Sequence, residues 1–109
     1  MINNELATKC GFKVLNEGEN KEVTSVYCCD LLSVVMGKAK SGSAWVTVMG
    51  NINSAAVAVL ADISVIVLAE GSSVSEELLE KVKEEEITLL KSDKPVFETA
   101  KKIFEELNG

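Results

Sequence analysis

The residue types that do chemistry are thinly spread in this chain. Histidine is absent. That removes the usual general base and the usual partner of a Ser or Cys nucleophile, and with them the commonest zinc ligand. The three cysteines, Cys10, Cys28 and Cys29, have an odd count and no C-x-x-C spacing, so no disulfide framework or zinc site follows. Neighbours along a strand point to opposite faces, which leaves Cys28 and Cys29 badly placed to bridge. All three read as small, partly buried hydrophobes in a reducing compartment. Gly37-Lys-Ala-Lys-Ser-Gly42-Ser43 imitates the glycine spacing of a P-loop. Ser43 stands where the lysine belongs, and the segment follows a helical pattern rather than a strand. No metal, no cofactor and no catalytic set is expected, so the chain reads as a non-enzyme.

One constellation suits a ligand. Gly50-Asn51-Ile52-Asn53-Ser54 follows the apolar run Ala44 to Val48 and opens a helix-length segment. Free amides and the helix dipole favour an anion at such a place. In open parallel sheets ligands collect at the carboxyl ends of strands. Glu70-Gly71-Ser72-Ser73 and Lys91-Ser92-Asp93 are expected to crowd the same edge. Gly50, Asn51, Asn53, Ser54, Gly71, Ser72 and Ser92 are therefore the candidate ligand-binding residues, for a small anion or a nucleotide. The competing assignment is structural: Gly50 makes the turn, Asn53 caps the helix, and the loop holds no positive charge. Asp30 before Leu31-Leu32 reads as an N-cap, Trp45 as core, and Glu84-Glu85-Glu86 as a solvated helix end.

The elements that must position these residues follow from apolar periodicity. Ala44 to Val48 and Ser64 to Ala69 are continuous β-rich runs bracketing Ser54 to Leu60, which describes a βαβ unit with buried parallel strands. The middle segment is apolar nearly all round, so deep burial or a subunit contact is expected. Upstream, residues 3 to 10 read as a short helix capped by Asn3 or Asn4 and stopped by Gly11. Short strands follow at Phe12–Val14 and within Glu22–Cys28, then a helix through Val34, Val35 and Met36. Downstream, Ser73 or Ser75 caps a helix running to about Glu86, Ile87 to Leu90 is a strand, and Pro95 opens the last helix. Val96, Phe97, Ala100, Ile103, Phe104 and Leu107 form one helical stripe there. The order α-β-β-α-β-α-β-α-β-α predicts an α/β fold, a three-layer α/β/α sandwich with a mostly parallel central sheet. Residues 1–109 are expected to form one domain.

Charge and length narrow the function. The 109 residues carry a net charge of −6 and 47% hydrophobic residues, so a sizeable core is available without staples. An acidic surface repels nucleic-acid backbones and anionic membranes. Asp62 interrupts the longest apolar run, no signal peptide is legible at the N-terminus, and a cytoplasmic location is expected.

The segment from Glu22 to Gly71 resembles the DRTGG domain family. The residues that carry the likeness are Glu22-Val23-Thr24, Asp30-Leu31-Leu32-Ser33, Val35-Met36, Ala39-Lys40, Gly42, Trp45-Val46-Thr47-Val48, Asn53, Ala56-Val57-Ala58, Leu60 and Ile66. Lys21 to Val26 lacks the Asp-Arg and paired glycines of the family's naming motif. Such domains look like the N-terminal domain of HPr kinase/phosphorylase, and they also sit beside CBS domains in regulated pyrophosphatases. The resemblance implies a non-catalytic regulatory or assembly module, with dimer contacts and a protein partner. With the small-residue surface of residues 52 to 69, it points to a homodimer. The alternative is a sensor for a small anionic ligand or nucleotide.

Overall fold

A computed structural model describes residues 1–109. Five strands run β1 (Lys13–Asn16), β2 (Ser25–Cys28), β3 (Ser43–Thr47), β4 (Val65–Leu68) and β5 (Leu89–Lys91). They are interleaved with helices α1 (Leu6–Cys10), α2 (Leu32–Lys38), α3 (Asn53–Leu60), α4 (Glu76–Glu84) and α5 (Val96–Asn108). The sheet order is β1-β5-β4-β3-β2. β2 to β5 are parallel, and β1 closes one edge antiparallel to β5.

The two apolar runs are neighbours, in the register Ala44↔Val65, Trp45↔Ile66, Val46↔Val67 and Thr47↔Leu68. Each of these eight side chains is fully buried. Alternation divides them between two cores. Trp45, Ile66, Leu68 and Leu89 meet Val35, Ala55, Ala58, Leu78 and Val82 of α2, α3 and α4. Ala44, Val46, Val65, Val67 and Leu90 meet Leu6 and Ala7 of α1 and Ile103 of α5. The expected three layers are present, with three helices on one face and two on the other.

Two helices are less buried than their patterns predict. Ser54, Ala55, Val57 and Ala58 of α3 are buried, but Val59 and Leu60 are 51% and 70% exposed. The helix lies between α2 and α4 on one sheet face, so only its inward side is covered. In α5 the single stripe splits: Ile103 is buried and Val96, Ala100 and Leu107 pack inward, while Phe97 is 75% and Phe104 59% exposed. These two rings are about two helical turns apart and share an outward face.

The amino end of the sheet is closed by a buried asparagine. Asn3 does not cap α1; it lies in a short 3₁₀ turn and is fully buried. Its Nδ2 donates to the Ser64 carbonyl at 2.7 Å, the Glu19 carbonyl at 2.9 Å and Thr88 Oγ1 at 3.2 Å. Its Oδ1 accepts from the Asn4 and Lys21 amides. Thr88 Oγ1 in turn donates to Asn4 Oδ1 and accepts from the Gly18 amide. Gly18 lies so close that a Cβ there would fall 2.2 Å from the Glu86 carbonyl oxygen. Removing one member of a buried network strands its partners. Asn3→Ala is expected to lower the unfolding free energy by about 2–3 kcal/mol, read from urea denaturation. A loss below about 0.5 kcal/mol would show that the network is dispensable.

Candidate functional site

The carboxyl ends of β2 to β5 do bring the seven candidate residues to one edge, but that edge is spent on internal bonds. Asn51 Oδ1 accepts from the Asn53 amide at 3.0 Å, so Asn51, not Asn53, satisfies the opening of α3. The Asn53 side chain is exposed. Ser54 is buried and donates to the Met49 carbonyl at 2.6 Å. Gly50 is needed for closeness, since a Cβ there would fall 2.0 Å from the Ser73 carbonyl oxygen. Its own carbonyl accepts from the Ser75 amide at 2.8 Å, which ties the loop after β3 to the loop after β4. Ser75 then caps α4, accepting from the Leu78 amide at 3.1 Å.

Gly71, Ser72 and Ser92 are spent in the same way. Ser72 donates to the Ala69 carbonyl at 2.6 Å. The Gly71 amide donates to the Ser92 carbonyl at 3.0 Å, and Gly71 takes a left-handed turn with φ +63°. Ser92 is buried and shares a 2.8 Å hydrogen bond with Thr99 Oγ1 of α5. Of the seven residues only Ser92 lines a cleft.

Topology explains the closure. β2, β3, β4 and β5 are added in one direction with α2, α3 and α4 on one face, so the loops after β2 and β3 run side by side and leave no crevice. Chain paths diverge only after β4 and β5, where α4 and α5 take opposite faces. In such a sheet this is the place for an anion at a helix N-terminus. Glu70 fills it. Its backbone adopts φ +61°, its amide donates to the Lys94 carbonyl at 2.8 Å, and its Oε2 accepts from the Val96 amide at 2.9 Å. A carboxylate of the chain itself holds the first turn of α5. Asp30 plays a related part and does not cap α2, whose N-cap is Leu31 without a side-chain bond. Asp30 Oδ1 accepts from Thr47 Oγ1 at 2.8 Å and the Val48 amide at 3.0 Å, while the Trp45 indole donates to the Cys29 carbonyl at 2.8 Å.

Open surface remains beside the end of β5, where Ser92 lies, and away from this edge. An apolar groove of about 410 Å³ runs between edge strand β2 and α5, lined by Val26, Cys28, Phe97, Ala100, Lys101 and Phe104. A cleft of about 230 Å³ lies where α1 meets the end of β5, with Cys10, Phe12, Lys13, Lys91 and Lys94 in its wall. The Phe97 and Phe104 spacing was visible in the sequence; that both rings face outward was not. No three His, Cys, Asp or Glu side chains converge as metal ligands. The cysteines are free, and burial is the main cause that raises two thiols. Cys10 is pushed up to about 11, with Glu106 adding to the effect and Lys102 and Lys9 opposing it. Cys28 is raised by burial, then by Asp30 and Cys29.

A model of the DRTGG domain family matches residues 5–105, and the chain belongs to that family. Among solved structures it is similar to the CBS and DRTGG domains of the regulatory region of Clostridium perfringens pyrophosphatase, crystallised with its activator diadenosine tetraphosphate. The two share 14% identity and a TM-score of 0.71, over 93% of this chain and 45% of that one. The chain thus spans under half of that protein's length, and the likeness is one of fold. No match is found among curated protein sequences. No helix is long and apolar enough to cross a membrane.

Two outcomes follow from this edge. Gly50→Ala forces the loops after β3 and β4 apart and is expected to cost about 1–3 kcal/mol in thermal or urea unfolding; an unchanged midpoint would mean that the contact yields freely. With its thiol near 11 rather than 9, Cys10 is expected to alkylate about a hundredfold more slowly than a free cysteine at neutral pH. Its rate should climb through pH 10, as followed by mass spectrometry with iodoacetamide. A rate equal to that of free cysteine would show that the thiol is neither buried nor shifted.

Proposed function

We propose that this chain is a non-catalytic regulatory or assembly module that self-associates as one domain in the cytoplasm. The observation that carries the reading is the apolar groove between β2 and α5. Soluble monomers seldom leave two phenylalanines on one face over an apolar floor, and Phe97 and Phe104 do so here at 75% and 59% exposure. The groove borders an edge strand, whose outer row of backbone amides and carbonyls pairs with no further strand. A second copy satisfies both needs at once. β2 meeting its own counterpart antiparallel is self-complementary about a two-fold axis, the commonest oligomer symmetry, and it lays each Phe pair over the other protomer. Of α3, expected at the contact, Ala55, Val57 and Ala58 are used inside the fold, while Ile52, Val59 and Leu60 stay exposed. The bare edge strand beside the two rings favours β2 and α5 for the proposed contact.

A second reading, response to a small anionic ligand or nucleotide, is favoured by the diadenosine tetraphosphate held by the pyrophosphatase regulatory region that shares this fold.

Sedimentation equilibrium tests the first reading. A dimer is expected at about 50 µM, and replacing Phe97 and Phe104 together by Ser should raise the dissociation constant at least about tenfold for each ring lost, with an unchanged far-UV spectrum. A wild-type chain that stays monomeric at that concentration ends the self-association reading. A double variant that dimerises normally moves the contact off α5.

A further inference from the structure

We infer that the cleft between α1, β1 and the carboxyl end of β5 is a binding site for a phosphate chain, held by Lys13, Lys91 and Lys94. The proposal rests on the ligand-responsive reading and is independent of self-association. Its central observation is a cross-strand pair. Lys13 of β1 and Lys91 of β5 are directly opposed in the antiparallel register, so their side chains share a sheet face and their charges repel. A lysine on edge strand β1 also guards that edge, and placing it opposite Lys91 gathers positive charge at one point. Lys94 joins them in the wall of the same cleft.

Nothing in the protein neutralises these three charges. None of the three ammonium groups takes part in an ion pair or hydrogen bond; in this chain only Lys21, Lys81 and Lys102 find carboxylates. Asp93 is the one carboxylate in the cleft wall, and its Oδ1 is turned toward the Gly71 turn, 3.4 Å from where a Cβ on that glycine would lie. On a chain of net charge −6, three uncompensated lysines around one concavity form a local positive field in a repelling surround. That arrangement admits an anion only where several charges act together. The cleft volume of about 230 Å³ lies below the range of about 300–1,000 Å³ that encloses a whole drug-sized ligand. The fit is to the phosphates of a ligand, with any organic part outside. A neighbouring cleft shares Cys10, Phe12 and Lys94 and adds Glu98, Thr99 and the Glu106-paired Lys102, which gives such a part a ring face beside it.

The test uses the full chain, inorganic pyrophosphate as probe, low salt, and backbone amide shifts as readout. Shifts at Gly11 to Lys13 and Lys91 to Lys94 that saturate are expected. Lys13→Gln and Lys91→Gln should each weaken binding about tenfold, the loss of one charge-assisted contact. Lys83→Gln, at an unpaired lysine on α4, should leave affinity within about twofold. Each cleft variant should also unfold at a higher temperature than wild type without ligand, because repulsion is relieved. Saturating shifts confined to other residues overturn this site while leaving the ligand-responsive reading intact. Equal weakening by Lys83→Gln shows general charge attraction and also overturns it. No shifts anywhere remove both the site and that reading.

Discussion

Burial of β3 and β4 on both faces is the constraint from which the rest of this structure follows. The eight residues of four consecutive register pairs have no exposed side chain, so each face needs its own helical cover. Parallel strands need crossovers, and crossovers are right-handed. With β2 to β5 laid down in one direction, α2, α3 and α4 are forced onto a single face. The other face falls to the chain ends, α1 and α5. That division leaves one place where successive connections diverge, after β4 and β5. It also leaves β1 and β2 as sheet edges, and the cationic cleft and the apolar groove each border one of them.

Both ends of the sheet are sealed by polar side chains used as structural parts. At the amino end Asn3 and Thr88 bind the N-terminal turn, the loop through Gly18 and the start of β5 into one network. At the carboxyl end Asp30, Ser54, Glu70 and Ser92 each satisfy backbone or hydroxyl groups of neighbouring loops. Buried polar atoms are costly unless paired, and no buried side-chain nitrogen or oxygen lacks a partner. This is why residues of the right type at the right end of the sheet, such as Ser54 and Ser72, do not form a cavity. Along this edge only the end of β5 borders a cleft.

The fold was legible in the sequence wherever apolar patterning alone decides it. The runs around Val46 and Val67, the Gly11 stop with φ +74°, the Ser75 cap and the final helix all rest on local signals, and the DRTGG likeness rests on the same apolar positions. What was hidden depends on distant partners. Asn3 reads as a cap because Asn is a common cap; its burial is decided by Ser64 and Thr88, which lie 61 and 85 residues away. Asp30 reads as a cap for the same reason, yet β3 supplies its donors. In α5 the spacing places Phe97 and Phe104 within one wide apolar stripe, and only the width of the sheet below determines which flank is covered. The lysine pair was invisible because Lys13 and Lys91 meet only through the β1–β5 register.

The cationic cleft and the apolar groove are not remote from each other. Lys94 and Phe97 stand three residues apart on either side of Pro95, where α5 begins. The Lys94 carbonyl accepts from the Glu70 amide at 2.8 Å and from Thr99 Oγ1 at 3.3 Å, and Glu70 Oε2 holds the Val96 amide. Glu70 sits at φ +61°, a conformation that non-glycine residues adopt at a cost. The first turn of α5 is therefore fixed by a strained residue on one side and a buried Ser92–Thr99 hydroxyl pair on the other. Energetic coupling between two surfaces requires an element with two arrangements that both surfaces bias. The α5 entry carries Lys94 of the cleft and Phe97 of the groove, and the Glu70–Val96 contact holds it.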